Sequence, residues 1–575
     1  MGMILTDEQQ AILDGSRGET MAKVMKTLVM FGEAFHAEKM VPVTSRYNHL
    51  VTSFGLGVLQ PVYDLMQQLI DAGAVSGQKF SADPRPLDPN VPANLLQQLV
   101  FKKFMYNKQD FYEGQLQKLG LMDKDAFTCT CYMPEVGNKP EKGEILSWSE
   151  SSAVVYANSV LGARCNRNSG ILDIMGSIVG YVPYFGLLTD EGRKATWIVK
   201  IETSKKPEAQ LLGSAIGMKV MEDVPYVVGL DKWLGTELDD AACTYLKDFG
   251  AATASNGAVG LYHIANLTPE AKELGEALIA PGARLYVIDD QELQRIQDGY
   301  PVVWKNRDAQ PKLCFMGCPH MSLEQLKTWT DRVEASLAEA GRSKVCIPTV
   351  FTAAPAVLKE FEKTPYAARL KKTGVITSYI CPLMYMNNPL CGKMPVITSS
   401  NKLRTYTTAR YYTDDEILAR ITKGGQTRMK TFQGRVVTPG CAQAEALVSH
   451  GGLNTLASFQ KSLQFGDKTA KCGDQNNPDL YGKPMAGKAL CLPQTIGSTT
   501  GGLVLYCACA MDRQPACMLF ANPIDSLAAA GAILADVWLQ PGKMPVVDSL
   551  GEDFLAYVKD GMSVTIGPDG LVTVE

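Results

Sequence analysis

The sequence lacks the features that mark a nucleic-acid-binding or membrane protein. Its 56 Lys and Arg residues are outnumbered by 60 Asp and Glu residues, which gives a formal net charge of -4. Without a basic surplus, neither nucleic acid nor an anionic membrane is expected as a partner. The longest apolar runs, such as LVLYCACAM at 503–511, are well short of the roughly 20 residues that a membrane helix needs. A soluble protein is therefore predicted.

Signals for export and for disulfide bonding are also missing. The N-terminal segment MGMILTDEQQ has neither the basic region nor the apolar region of a secretory signal. Fifteen cysteines in such a chain indicate reduced thiols and a cytoplasmic location. Histidine is scarce, with five residues in 575, so few imidazoles compete for the role of a general base.

Three cysteines that lie far apart in the sequence each have a loop-like context. They are Cys129 in FTCTCYMP, Cys318 in LCFMGCPHMS and Cys381 in TSYICPLM. Three converging thiolates can hold an iron–sulfur cluster and leave one metal position open for Lewis-acid chemistry on a hydroxyl. A dehydratase is therefore predicted. Four nearby cysteines compete as ligands: Cys131, Cys165, Cys314 and Cys391.

The chain is too long for one hydrophobic core, and its patterns predict an α/β fold in several domains. Residues 1–125 are expected to be largely helical, with Thr6 as a helix N-cap. From about 311, three strands alternate with helices, and Ser322 caps the first helix with Gln325 at the capping-box position. Ligands gather at the carboxyl ends of such strands. Cys318 and Cys381 are both expected at that edge.

A basic, glycine-bearing segment, ITKGGQTRMKTFQG at 421–434, is typical of a linker. We therefore divide the chain into a large part, 1–430, and a small β/α domain, 431–575. Within the small domain, GGLVLYCACAM at 501–511 is predicted to be a strand and SLAAAGAILADVW at 526–538 a helix.

Polar residues along SWSESSAVVYANSVLGARCNRNSG at 147–170 predict one wall of a substrate site. Ser151 and Ser152 open a helix whose N-terminal amides can bind an anion. Arg164 and Arg167 are candidates because arginine binds a planar carboxylate through two hydrogen bonds. For each of them an interdomain salt bridge is an equal alternative. Lys402, after ITSS, is a further candidate, with a solvated surface charge as the alternative. The remaining substrate-binding candidates in the wall are Asn158 and Asn166.

These motifs resemble those of the aconitase X family in its fused form, over nearly the whole chain. The resemblance is carried by TCTCYMPEVGNKPEKGEILSWSESSAVVYANSVLGARCNRNSG, MGCPHMSLEQL, ITSSNKLRTY and PQTIGSTTGG. It implies an aconitase-like multi-domain large part with a C-terminal swivelling β/α domain. It also implies a [2Fe-2S] cluster on Cys129, Cys318 and Cys381. The monomeric bacterial type dehydrates cis-3-hydroxy-L-proline to Δ1-pyrroline-2-carboxylate, whereas the two-subunit archaeal type dehydrates mevalonate 5-phosphate.

Dehydration of a 3-hydroxy amino acid needs a base on one side and an electrophile on the other. The resemblance implies a serine base on the swivelling domain, and Ser449 in EALVSHGG is our choice. Ser498 lies in the glycine-rich TIGSTTGG, whose amides suit a carboxylate, so we expect it to bind substrate. His320 is expected beside the cluster as a proton shuttle, with a helix-capping role as the alternative. For both serines the alternative is ordinary turn chemistry.

Substrate choice within the family depends on charge and architecture. The site motifs contain arginines but no phosphate-binding signature, and the fused chain favours the hydroxyproline type. A single-chain monomer acting on a small, hydroxylated proline is therefore expected. Two alternatives stay open: a mevalonate 5-phosphate dehydratase, and a non-catalytic iron–sulfur regulatory protein, which the balanced charge disfavours.

Overall fold

The computed structural model describes residues 2–307, 309–424, 430–497 and 500–574. The chain forms two compact units, Met1–Gly425 and Gln426–Glu575, and each is described here by itself. Part of the predicted linker and Ser498 lie outside the described residues. No helix in the described ranges is both long and apolar enough to cross a membrane.

Helices predominate in the first third of the large unit, as predicted, and short strands accompany them. Thr6 caps the first helix in a capping box with Gln9. Strands Tyr47–Leu50 and Lys79–Ala82 pair in parallel, and Met40–Pro42 pairs antiparallel with Tyr181–Pro183. The helices are Asp7–Leu13, Glu19–Ala34, Gln60–Asp71, Leu95–Leu99, Gln109–Leu119, Ser151–Tyr156 and Gly170–Val179, with π-helical segments Val100–Met105 and Ala157–Leu161.

A parallel sheet of four described strands forms the middle of the large unit. Its order is His263–Ile264, Pro225–Val228, Ala195–Ile201 and Ile279–Ile288. Helices cover it, and Ala209–Val220 packs along Asp240–Asn256 because Gly213 and Gly217 let the two backbones approach. The other helices here are Asp231–Leu234, Pro269–Leu274 and Asp290–Asp298.

The β-α-β-α-β pattern predicted from residue 311 is confirmed as a second parallel sheet. Its order is Ile376–Ser378, Thr349–Ala353, Leu313–Met321, Val396–Thr398 and Arg410–Tyr411. Ser322 and Gln325 form the predicted capping box. The helices are Leu323–Glu339, Pro355–Glu362, Pro365–Lys372, Pro382–Met386, Asn401–Tyr406 and Asp414–Thr422. Two helices connect the second and third strands of this pattern, because Pro365 begins a new helix after Pro355–Glu362.

The strand that carries Cys318 is longer than predicted. It continues to Met321, and its register against the neighbouring strand shifts between Phe351 and Ala353. Gly317 has a φ of +94°, and a Cβ there would overlap the Thr352 carbonyl oxygen. Only glycine fits this close approach without strain, so the residue before Cys318 is fixed by the backbone.

The small unit is built on a mixed sheet of eight described strands. Their order is Lys430–Gln433, Leu571–Val574, Ser563–Ile566, Ala442–Val448, Ala489–Leu492, Cys517–Phe520, Val546–Asp548 and Arg435–Thr438. Leu453–Asn454 pairs separately with Thr495–Ile496. The helices are Thr455–Phe465, Gly501–Ala510, Ser526–Trp538 and Glu552–Tyr557.

One strand prediction in the small unit is wrong. The run GGLVLYCACAM forms the helix Gly501–Ala510, whereas Ser526–Trp538 is a helix, as predicted, capped by Asp525. A short apolar run without polar alternation does not distinguish a buried strand from a buried helix. The packing decides it here, because a Cβ on Gly502 would lie 2.5 Å from the Leu527 carbonyl oxygen, so these helices cross in close contact.

Candidate active site

The three predicted ligand cysteines line one cavity in the large unit. Cys129, Cys318 and Cys381 surround a space of about 310 Å³. The polar and charged residues that line it with them are Asp83, Glu150, Ser151, His320, Lys402 and Tyr406. Phe54, Leu383 and Met384 contribute apolar walls. The cavity therefore combines thiols, carboxylates and one ammonium group inside a partly apolar enclosure.

Cys129 reaches the cavity from the parallel strand pair in the first third of the unit. A bridge between Ala82 and Phe127 continues that pairing, and Cys129 follows two residues later. Its sulfur accepts a hydrogen bond from the His320 backbone N–H at 3.4 Å. This contact joins the Cys129 loop to the strand that carries Cys318.

Cys318 and Cys381 come from the five-stranded sheet. The Cys318 carbonyl accepts hydrogen bonds from Ser400 Oγ and from Gln210 Nε2, the latter at 3.3 Å. Cys381 is the N-cap residue of Pro382–Met386, just after a strand, and its N–H donates to the Arg85 carbonyl at 2.9 Å. These hydrogen bonds fix the backbone at Cys318 and at Cys381.

Four other cysteines that compete as ligands by sequence lie elsewhere. Cys131 is fully buried beside His49, and Cys165 is buried against the Trp148 carbonyl at 3.5 Å. Cys314 is buried in its strand, and Cys391 lies beside Tyr385. Within the described residues, the cavity lining contains Cys129, Cys318 and Cys381 and no other cysteine. This placement favours the predicted ligand set.

Lys402 and Glu150 form a buried ion pair at the cavity wall. Their side chains are 13% and 5% exposed, and Lys402 Nζ also donates to Ser152 Oγ at 2.6 Å. Burial disfavours the charged lysine, but Glu150 and the nearby thiols outweigh it and raise the pKa of Lys402. An ammonium group has three N–H donors, so these two contacts leave one N–H for a ligand.

The helix that begins at Ser151 is capped by the protein itself. The Glu150 carboxylate accepts a hydrogen bond from the Ala153 N–H at 2.6 Å, so a protein carboxylate lies where a bound anion was expected. Burial would raise the pKa of Glu150, but Lys402 lowers it, and the net direction is down. Ser151 still lines the cavity, while Ser152 is buried behind it.

Asp83 faces the cavity, and sequence analysis missed it. It follows the strand Lys79–Ala82, and its side chain is 10% exposed. Its Oδ1 lies 3.6 Å from His49 Nε2, and neither atom has a hydrogen-bond partner among the described residues. Burial raises the pKa of Asp83, against the opposing effect of His49. The rule that placed Cys381, a residue just past a strand, would have indicated Asp83 as well.

His320 is buried with both ring nitrogens in use. Nε2 lies 3.1 Å from the Ile380 carbonyl oxygen, so it carries the proton and donates, and Nδ1 then accepts from Thr128 Oγ at 3.0 Å. Burial lowers the pKa of His320 to about 4, which keeps the ring neutral. The His320 ring thus connects its own strand to the segments that contain Thr128 and Ile380. Its role as a proton shuttle stays a prediction.

Asn158 and Asn166 are engaged behind the cavity wall. Asn158 donates to the carbonyls of Cys165 and Gly260, both at 2.8 Å, and accepts from Arg193 at 3.2 Å. Asn166 bonds to the backbone of Phe185 and Leu187. These contacts hold the wall in place, and substrate binding by either residue stays a prediction.

The two candidate arginines, Arg164 and Arg167, make different contacts. Arg164 forms an ion pair with Asp190, whose side chain is 88% exposed, and donates to the Leu188 carbonyl. This is a salt bridge within the large unit and not the interdomain one given as the alternative. Arg167 donates to the Ala258 carbonyl at 2.6 Å. Burial lowers the pKa of Arg167, while Tyr406 and Glu150 are close enough to oppose this. Arg167 thus interacts electrostatically with two residues of the cavity lining, Tyr406 and Glu150.

Ser449 lies in the small unit, at the end of the strand Ala442–Val448. It is fully buried; its Oγ donates to the Gly451 carbonyl at 2.8 Å and accepts from Asn477 Nδ2 at 2.9 Å. The Gly451 N–H also donates to this oxygen at 3.3 Å. The donors would stabilise a developing negative charge on the oxygen, and the same contacts form an ordinary serine turn.

The donor atoms that line the cavity suit an iron–sulfur cluster. All three thiols face one space, and the electrostatic influence of Cys318 reaches both of the others. The Lys402 ammonium and the His320 N–H supply the charge and the donor that thiolate sulfurs need. In the described ranges, no three Cys, His, Asp or Glu side chains meet closely enough to hold a single metal ion.

Three family models match this chain. They are the aconitase X first domain over residues 2–191, the aconitase X second domain over 195–298 and the aconitase X swivel domain over 431–574. The matches begin at the N-terminal helices and end in the small unit. They confirm the family predicted from the motifs and the presence of a swivel domain.

Relatives and a solved structure support the same family as the family models. The large subunit of phosphomevalonate dehydratase from Thermococcus kodakarensis is 31% identical over 359 residues, 62% of this chain and 82% of that one. Cis-3-hydroxy-L-proline dehydratase from Pseudomonas aeruginosa is 25% identical over 409 residues, 69% and 65% of the two chains. The holo-form crystal structure of aconitase X from Thermococcus kodakaraensis has a TM-score of 0.60 at 26% identity, covering 73% of this chain and all of that one. The chain belongs to the aconitase X family and is a dehydratase, a hydro-lyase.

Proposed function

We propose that this protein is an iron–sulfur-dependent dehydratase that converts cis-3-hydroxy-L-proline to Δ1-pyrroline-2-carboxylate. In this proposal residues 1–430 form the catalytic part and 431–575 the swivelling domain of a cytoplasmic monomer. Loss of the α-proton and the 3-hydroxyl gives an enamine, which tautomerises to the cyclic imine. The fused chain, which carries the swivel domain together with the catalytic part, supports this branch of the family.

The charge of the cavity is the observation that carries the choice of substrate. Among the described lining residues the charged side chains are Asp83, Glu150 and Lys402, two carboxylates and one ammonium. Lys402 is already paired with Glu150. A phosphate dianion calls for several cations or a cradle of amides. A zwitterionic amino acid, with one carboxylate and one ammonium, suits this wall better.

The residues have separate roles in the proposed reaction. Cys129, Cys318 and Cys381 would hold a [2Fe-2S] cluster, which would supply Lewis-acid chemistry for loss of the 3-hydroxyl. The remaining N–H of Lys402 and the Ser151 hydroxyl bind the substrate carboxylate, with Arg167 near the same wall. Ser449 would take the α-proton as its alkoxide, after loss of the hydroxyl proton that it donates to the Gly451 carbonyl in this structure, and its oxygen is oriented by Asn477. Ser498 completes carboxylate binding from its glycine-rich segment.

Mevalonate 5-phosphate is the second candidate substrate. The relative named phosphomevalonate dehydratase large subunit is 31% identical over 359 residues, and two relatives named cis-3-hydroxy-L-proline dehydratase are 35% identical over 213 residues and 25% identical over 409. The large-subunit relative is one subunit of a larger enzyme by its name, whereas this chain includes the swivel domain. Sequence identity therefore favours neither substrate, and the cavity charge supports the amino acid.

The test is turnover by anaerobically reconstituted protein with each substrate in parallel. We expect pyrroline-2-carboxylate from cis-3-hydroxy-L-proline and no dehydration of mevalonate 5-phosphate. Cys318→Ala should abolish turnover together with the visible absorbance of the cluster. As a matched control, Cys314→Ala, at a buried cysteine in the same strand, should retain both. Dehydration of the phosphorylated substrate alone would assign the chain to the other branch.

A further inference from the structure

We propose that Asp83 binds the cationic ring nitrogen of the substrate and so selects amino acids over uncharged or phosphorylated hydroxy acids. The inference rests on the proposed function and adds the residue that recognises the ammonium group. Three observations carry it: the unsatisfied carboxylate of Asp83, the histidine behind it, and the engagement of the other carboxylate in the cavity.

Asp83 Oδ1 accepts no hydrogen bond within the described part of the chain, and its charged neighbour is His49 Nε2 at 3.6 Å. This Oδ1 is buried, although the Asp83 side chain lines the cavity and is only 10% exposed. Leaving a buried acceptor unsatisfied costs about 1–3 kcal/mol, and more for a charged group. A ligand N–H in the cavity would meet the exposed part of the carboxylate, because Oδ1 itself is buried towards His49. A secondary ammonium group provides two such donors and a complementary charge.

His49 supports the charge of Asp83 without saturating its oxygen. The parallel pairing places His49 opposite Ser81, and its Nδ1 lies 2.9 Å from Ser81 Oγ. Its Nε2 faces Asp83 Oδ1 at 3.6 Å, which is beyond hydrogen-bonding distance. The imidazole is fully buried, so it is held in place by the strands. Asp83 thus has His49 on one side, and its side chain lines the cavity on the other.

Glu150, the other carboxylate of the cavity, is already committed. It accepts from Lys402 and from the Ala153 N–H, so its charge is balanced and its position fixed. Asp83 is therefore the carboxylate available to a cationic ligand among the described lining residues. Lys402, with its remaining N–H, suits the ligand carboxylate. The two opposite charges of an amino acid then meet Asp83 and Lys402, respectively.

A binding comparison tests this directly. L-proline and (S)-tetrahydrofuran-2-carboxylate have similar rings, but the second has an uncharged ether oxygen in place of the ammonium, and neither has a hydroxyl to lose. We expect reconstituted wild-type protein to bind L-proline at least about tenfold more tightly by calorimetry. Asp83→Asn should reduce this preference to about twofold or less, with the affinity for the ether nearly unchanged.

The controls separate charge recognition from misfolding. Asp71→Asn removes one negative charge at an exposed position in Gln60–Asp71 and should keep the wild-type preference. Cluster absorbance and melting temperature should match the wild type in Asp83→Asn. If that variant does not fold, Asp83→Ser gives the same comparison, since it also removes the charge. A preference for L-proline that survives in the folded Asp83 variant would overturn the proposal.

Kinetics distinguish binding from proton transfer. Asp83→Asn should raise KM for cis-3-hydroxy-L-proline by about tenfold or more while kcat falls only a few-fold, because it removes a binding contact. A large fall in kcat at constant KM would make Asp83 the base and overturn the proposal. If wild-type protein shows the L-proline preference but does not turn over cis-3-hydroxy-L-proline, the proposed reaction fails while the Asp83 subsite stands.

Discussion

At the residue scale, the cavity depends on a few polar groups that satisfy one another. Lys402 is the most connected, because it joins the helix Asn401–Tyr406 to Glu150 and Ser152 on a distant segment. Ser400 fixes this helix by capping it at Leu403 and by donating to the Cys318 carbonyl. The ammonium group and the thiols are therefore held by one local structure.

We expect Lys402→Met to destabilise the protein and to abolish turnover. Removing one partner of a buried ion pair leaves an uncompensated charge, which typically costs about 3–5 kcal/mol. The double variant Lys402→Met/Glu150→Gln should recover most of the unfolding free energy, measured by chemical denaturation, because the buried charge is gone. It should stay inactive, since the ligand N–H is absent. Activity in the double variant would exclude the proposed carboxylate contact.

The ligand cysteines were predictable from sequence, whereas the charge network was not. Cys318 and Cys381 follow from the strand pattern and the family motifs, since ligands gather at strand ends. Asp83 lies in SADPRPLD, whose proline and aspartate are typical of any turn. Its burial, its missing partner and its nearness to His49 arise only when two strands pair. For Arg164 the sequence offered a salt bridge as an alternative but did not identify Asp190 as the partner, because that contact forms only in the folded chain.

At the element scale, sequence patterns identified elements with strong end signals and failed for a short apolar run. Thr6 and Ser322 open capping boxes, and both helices begin where predicted. The run at 501–511 has no cap to mark it, since Thr500 makes no side-chain cap bond to the helix. Its helical form depends on contact with Ser526–Trp538, which the local sequence does not encode.

We expect Gly531→Ala to destabilise the small unit by about 1–3 kcal/mol, the usual cost of overpacking. A Cβ on Gly531 would overlap the carbonyl oxygen of Gly502, and a backbone atom cannot turn aside as a side chain can. The measurement is thermal unfolding of the variant. Ala530→Ser, at an exposed neighbouring position, should change stability little. Equal stability of the two variants would show that this helix pair can separate freely.

At the scale of the whole molecule, each unit contains its own hydrophobic clusters. Phe459 and Phe520 belong to one cluster of the small unit, and Trp148 and Phe351 to a large-unit cluster. A domain with its own core can fold alone.

We therefore expect the chain to tolerate division between Gly425 and Gln426, where the compact units meet in sequence. Residues 1–425 and 426–575, produced as separate chains, should each unfold cooperatively in a thermal scan. The large fragment should keep the cluster absorbance after reconstitution, because all three proposed ligands lie in it. It should lack dehydratase activity until the small fragment is added. Loss of cooperative unfolding in either fragment would contradict the independence of the cores.

The spacing of the three thiols has a consequence for how the enzyme matures. Cys129 and Cys318 are separated in sequence by the whole four-stranded sheet, and Cys381 arrives only after the next two strands of the second sheet. A chain still emerging from the ribosome therefore presents these ligands one at a time. A cluster held by all three, as we propose, could therefore be completed only after the second sheet has been synthesised as far as Cys381.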